Sequence, residues 1–156
     1  MTNSTHEQVI NQFYEIAIKS QILSEWHENH AARLPKYTKQ EILALELIRM
    51  YSPITAKEIA NVFGLAPSSA KELVRKFEAA NILETCAKQQ TDNREKPFKL
   101  TKTGEDLVLE IKQSGVMFFE YLLRGMDEKK LTNLSPLLED ISKSIAETVQ
   151  YFIFHK

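Results

Sequence analysis

Apolar residues recur near helical spacing at Val9, Phe13, Ile16, Ala17 and Leu23, within a stretch, 5–33, that lacks Gly and Pro. The pattern predicts one long helix ending before Pro35. Thr38 and Glu41 then form a Thr-x-x-Glu capping box, which marks the start of a second helix. It runs through Tyr51 with Ile42, Leu43, Leu45, Leu47 and Ile48 mostly buried, and Ser52-Pro53 stops it. Thr55 and Glu58 repeat the box for a short helix ending near Phe63, where Gly64 supplies the turn. Pro67 suits the first turn of the next helix, which runs to about Ala80. Ala70, Leu73, Val74 and Phe77 stand at i, i+3, i+4 and i+7 and form its buried face.

The pattern changes over 82–100. Ile82 to Cys86 and Phe98 to Leu100 read as short strands, joined by a polar stretch, Lys88 to Lys96, without apolar anchors. This predicts a two-stranded hairpin with an extended tip. Thr101 caps a long helix towards Arg124. A last helical region covers 127–153, with Leu131, Leu134, Leu138, Ile141, Ile145, Val149 and Phe152 on one stripe. Pro136 interrupts that stripe: either Ser135 caps a restart or the helix kinks there. No internal repeat is visible.

Composition narrows the class. With 156 residues, 26% charged and 43% hydrophobic, the chain is globular rather than disordered. Only 4 Gly and 5 Pro leave little room for a many-stranded β-sandwich. The fold class is therefore mainly α with a small β-hairpin. A single Cys suits a reducing compartment. No apolar run approaches the ~20 residues of a membrane span. Met1 to Gln12 is polar and acidic, unlike a secretory signal, so a cytoplasmic protein is expected, with no membrane partner. The net charge is −1, but it is unevenly spread. Residues 53–104 hold nine Lys/Arg against six Asp/Glu, and the remainder eleven against fifteen. A basic middle between acidic ends points to a charged partner held by the middle.

Helix, tight turn, helix and hairpin is the order of a winged helix-turn-helix. On the second of its short helices, Ser68, Glu72 and Arg75 lie opposite the buried face, flanked by Ser69, Lys71 and Lys76. Hydroxyls near a helix N-terminus suit phosphates or base edges, and an Arg suits guanine. Glu72 could accept from cytosine, but it is also spaced to pair with Lys76 at i+4, the plainer reading. At the hairpin tip, Arg94 has no apolar neighbour to pack its stem, which suits insertion into a minor groove. Asp92, two residues earlier on the same side of an extended strand, is placed to orient it.

The stretch Asp92-Asn-Arg-Glu-Lys-Pro-Phe-Lys-Leu-Thr-Lys-Thr-Gly104 resembles the wing of MarR-family transcriptional regulators: Asp-x-Arg, six residues, then Leu-Thr-x-x-Gly and a long helix. Upstream, TAKEIANVFGLAPSSAKELVRKFEAANILE is similar to the family's helix-turn-helix, and the helix order matches over nearly the whole chain. Asn93 departs from a common second Arg, Ala66 from a usual Ser cap, and Asn81 from a usual Gly, although Asn tolerates the same left-handed conformation. The resemblance implies a homodimer on a palindromic double-stranded DNA operator, a repressor relieved by a small molecule. The expected DNA contacts are Thr55, Ser68, Ser69, Lys71, Arg75, Lys76, Lys88, Arg94, Lys96 and Lys99, with Asp92 orienting the wing. It also implies a small phenolic ligand near Trp26, His27, His30 and Tyr37, residues for which a core or interface role is the plainer alternative. The expected organisation is a dimerisation helix over 1–35, a winged DNA-binding lobe over 36–104 and dimerisation helices over 105–156, intertwined as one domain. The apolar end, Val149 to Phe154, supports pairing independently, since a lone chain would either expose it or have to fold it back onto its own core.

Other chemistry is not indicated. No phosphate loop, nucleophile elbow or His/carboxylate cluster appears, so an enzyme is not expected, nor a cofactor or metal. His27 and His30 lack nameable co-ligands, and Cys86 reads as strand packing. The competing class is a winged-helix module for protein–protein contact without specific DNA binding. Such a module need not concentrate Lys and Arg on the recognition helix and wing.

Overall fold

The structure, a computed structural model, describes residues 5–30, 37–86 and 96–154. The chain divides into two compact units, Met1–Tyr37 and Thr38–Lys156. The first holds a single helix, α1 (Thr5–His30). The second holds α2 (Lys39–Tyr51), β1 (Ile54–Thr55), α3 (Ala56–Phe63), α4 (Pro67–Ala79), β2 (Leu83–Thr85), β3 (Pro97–Leu100), α5 (Lys102–Leu123) and α6 (Glu128–Phe154).

Local chemistry accounts for most of these boundaries. Both expected capping boxes form. Thr38 Oγ1 accepts from the Glu41 amide at 3.3 Å, and Glu41 Oε2 accepts from the Thr38 amide at 2.8 Å. Thr55 and Glu58 repeat this at 3.2 and 2.7 Å. Gly64 ends α3 at φ +62°, the left-handed conformation that glycine adopts without strain. Asn81 does the same for α4 at φ +56°. Its amide donates to Glu78 O and that of Ile82 to Phe77 O, both at 2.9 Å, which closes the helix with a paired carbonyl turn.

The wing is larger than a hairpin. Ile54–Thr55 adds a third strand, giving the antiparallel order β1-β3-β2. Ile54 pairs with Phe98 and Leu83 with Leu100. Ile54 and the α3 cap residue Thr55, both β-branched, pair with the edge of β3 that β2 leaves open. The Cys86 amide extends the β2–β3 ladder by bonding Pro97 O at 2.9 Å.

Phe77, Leu45, Ile48, Ile54, Ile59 and Ile82 centre the core of this unit. On α2 the inward positions include Ala44, while Leu43, expected inside, faces out. The helix turns 100° per residue, so Leu43 cannot share a face with both Ala44 and Leu45. α5 packs on α2 and β3, and α6 lies against α3. The Leu100-Thr101-Lys-Thr-Gly104 motif builds the start of α5. Thr101 Oγ1 donates to Asn81 O at 2.6 Å and accepts from the Gly104 amide at 3.1 Å. A Cβ on Gly104 would stand 2.3 Å from the Ile82 carbonyl oxygen, so only glycine lets α5 come this close.

α6 continues through Pro136 rather than restarting there. The missing amide leaves the Thr132 carbonyl without its helical partner, and Thr132 is exposed, where water can satisfy that carbonyl. The apolar stripe of α6 divides into two rows. Leu134, Ile141 and Val149 are half-buried. Leu131, Leu138, Ile145 and Phe152, spaced seven apart, are exposed.

Candidate nucleic-acid interface

The candidate site is built on α4, whose orientation follows from its inner face. Ala70, Val74 and Phe77 are buried in the core, with Leu73 half-buried beside them. The helical turn then forces Ser68, Glu72 and Arg75 outward, and all three are exposed, as are Ser69, Lys71 and Lys76 on the flanks. Four of the expected contact residues, Ser68, Ser69, Lys71 and Arg75, thus share the outer surface of one helix. Ala66 occupies the N-cap and makes no side-chain cap bond, and Pro67 stands first in the helix. The serine hydroxyls therefore sit at a helix start with no side-chain cap bond and no acidic residue in its first turn, where the backbone dipole favours negative charge.

Lys76 departs from expectation. Sequence spacing directs it at Glu72, but the structure carries its ammonium to Glu41 on α2, where Nζ donates to Oε1. The Glu41 side chain is only 10% exposed. Burial pushes its carboxyl up, but hydrogen bonds from Lys76 and from the Thr38 amide and hydroxyl outweigh that, and the group is held below its ordinary range. No local pattern could have shown this pair, because its members are thirty-five residues apart.

Other expected residues are placed as follows. The Thr55 hydroxyl is committed to α3, accepting from the Glu58 amide and donating to Glu58 Oε2 at 2.8 Å. Lys99 is exposed on β3 and pairs across the sheet with Glu84 at 3.0 Å, whose hydrogen bond raises the lysine's pKa. Lys96 is exposed just before β3. Lys88, Asp92 and Arg94 lie outside the described residues, as do the side chains of Trp26, His27 and His30. Tyr37 is half-buried at the end of the first unit. Cys86 is a half-buried free thiol. Among the described residues, no cluster of three His, Cys, Asp or Glu could hold a metal ion, and no helix is long and apolar enough to cross a membrane.

No protein-family model matches the chain, and no curated protein sequence does. Solved structures do. Transcriptional regulator Tm0710 from Thermotoga maritima aligns with a TM-score of 0.66 at 18% identity, over 90% of this chain and 98% of that one. A MarR family protein from Bacillus stearothermophilus aligns with a TM-score of 0.62 at 17% identity, over 94% and 99%. FabT from Streptococcus pneumoniae, solved in complex with DNA, aligns with a TM-score of 0.56 at 16% identity, over 90% and 98%. At these identities the likeness carries architecture, and it extends across both the winged lobe and the long helices. The chain has the winged helix-turn-helix fold of the MarR-family transcriptional regulators.

Proposed function

We propose that the protein is a homodimeric, sequence-specific double-stranded DNA-binding transcriptional regulator, a repressor relieved by a small ligand. The observation that supports this reading most is α4: its apolar face is consumed by the core, and its outer face presents two hydroxyls, Lys71 and Arg75. Ser68 and Ser69 approach phosphate at the helix start, and Arg75 reads a guanine edge. Lys96 and Arg94 follow the backbone and minor groove, with Asp92 orienting the Arg94 guanidinium. FabT, of the same fold, was solved bound to DNA.

Dimerisation draws on the long helices over 1–35 and 105–156. The seven-residue row Leu131, Leu138, Ile145 and Phe152 is exposed, and its spacing is the one that pairs one helix with another. Two recognition helices related by a two-fold axis then match a palindromic operator. The ligand reading rests on the family resemblance and assigns Trp26, His27, His30 and Tyr37 to a phenolic compound. Such a compound relieves repression only if its affinity differs between DNA-competent and incompetent arrangements.

Selection of bound sequences from a random duplex pool tests the reading. A recovered palindrome supports it. Recovery of no preferred sequence would leave the protein-contact module as the better account. On the recovered operator, Arg94→Ala should reduce the salt slope by about one per half-site. Asp92→Ala should weaken binding although it removes a negative charge. Tighter binding would make Asp92 only a tolerated charge.

A further inference from the structure

From the Glu41–Lys76 pair we infer that Glu41 is a positioning residue for the recognition helix: it holds the Lys76 ammonium on the protein and keeps that cation off the DNA backbone. The inference rests on the DNA-binding reading of α4. Its geometry is specific. Glu41 is the third residue of α2, and its two carboxylate oxygens have separate tasks. Oε2 accepts from the Thr38 amide at 2.8 Å and completes the capping box. Oε1 accepts from Lys76. Because the cap fixes the carboxylate, the flexible lysine must come to it.

Burial makes the arrangement one-sided. The Glu41 side chain is 10% exposed, whereas that of Lys76 is 51% exposed. A carboxylate taken that far from water needs its partner, while a half-exposed ammonium would be solvated without one. Lys76 lies two turns from Ser69, on the flank of the reading face, and its long stem otherwise has the reach of a phosphate contact. The burial of Ala70, Val74 and Phe77 sets which side of α4 faces the core. With α4 so set, the ion pair decides where the Lys76 ammonium lies.

The consequence is for specificity. Every cation on phosphate tightens all duplexes alike. Withdrawing one lowers non-specific affinity and leaves Arg75 a larger share of the discrimination.

The test uses the full chain, a selected operator and a scrambled duplex, each titrated across salt concentrations, with Glu41→Gln, Lys76→Met and the double variant. Glutamine keeps the capping box, since Gln serves at that position, but drops the charge. Glu41→Gln should steepen the salt slope by about one per half-site and tighten the scrambled duplex roughly fivefold per half-site. The double variant should return to the wild-type slope. Lys76→Met alone should leave the slope unchanged. A slope reduced by about one per half-site in Lys76→Met would place Lys76 on phosphate and overturn the inference. So would a Glu41→Gln protein with unaltered slope and scrambled-duplex affinity. If a single variant fails to fold, the double variant, which leaves no unpaired charge, decides: a wild-type slope supports the inference and a slope reduced by about one per half-site overturns it. A wild-type protein that binds neither duplex refutes the regulator reading and this inference with it. A wild type that binds, with Glu41→Gln unmoved from it, refutes only the inference.

Discussion

α4 and α6 are both helices with an apolar stripe at regular spacing, but they meet opposite fates within the chain. α4 buries Ala70, Val74 and Phe77 in the lobe's own core. α6 leaves Leu138, Ile145 and Phe152 more than half exposed. The difference teaches what each helix is available for. A helix whose apolar face is satisfied at home has only its polar face to offer, and on α4 that face is basic and hydroxylated. A helix that leaves an apolar row exposed offers that row instead, and on α6 the row has the seven-residue spacing with which one helix packs on another.

The largest effect tests the satisfied stripe. Phe77→Ala should cost about 3–5 kcal/mol, because a fully buried aromatic leaves a cavity that its neighbours only partly fill. Thermal melting of the lobe measures it, and a loss under 1 kcal/mol would mean that α4 is not anchored as described. Next comes the exposed row. Leu138→Glu should weaken the dimer by about 2 kcal/mol, some thirtyfold, while leaving the lobe folded. Sedimentation equilibrium reads this directly, and an unchanged dimer would move the interface elsewhere.

Two smaller effects sharpen the outer face of α4. Arg75→Ala should cost about 1–3 kcal/mol on the operator and relax preference at one base per half-site. Lys71→Ala should instead weaken all duplexes alike. Equal behaviour of the two variants on operator and scrambled DNA would remove the division between reading and holding. The smallest effect is electrostatic. Glu41 is held below its ordinary range in the folded protein, so its contribution to stability is fully present at neutral pH. It should fade as pH falls from the unfolded glutamate's ~4.3 through the lowered folded value. Glu41→Gln should flatten that part of the stability–pH curve, and an unchanged curve would mean that the carboxylate's partners do not act on its charge.

Much of the site was legible in the chain because it rests on short-range rules. The outer face of α4 followed from helical periodicity alone, once Ala70, Leu73, Val74 and Phe77 were recognised as one face. What the chain did not reveal is which of the residues expected to contact DNA also bond within the protein. Thr55 and Lys99 look available in sequence, but one caps α3 and the other pairs with Glu84. Availability is a property of neighbours, and for Lys99 and Lys76 those neighbours come from other segments.

The sequence by itself determined the two capping boxes, the left-handed stops at Gly64 and Asn81, the helix order and the periodic faces. Each depends on atoms within a few residues of one another, so the local chain contains the whole cause. Only the tertiary structure decided the third strand, the outward turn of Leu43, the need for glycine at position 104 and the pairing of Glu41 with Lys76. Ile54–Thr55 becomes a strand because β3 offers it an edge. Gly104 is required because the Ile82 carbonyl lies against it. Glu41 stays ionised while largely buried because an ammonium from a distant helix reaches it. Such effects have no local signature, since their physical cause is the proximity that folding creates.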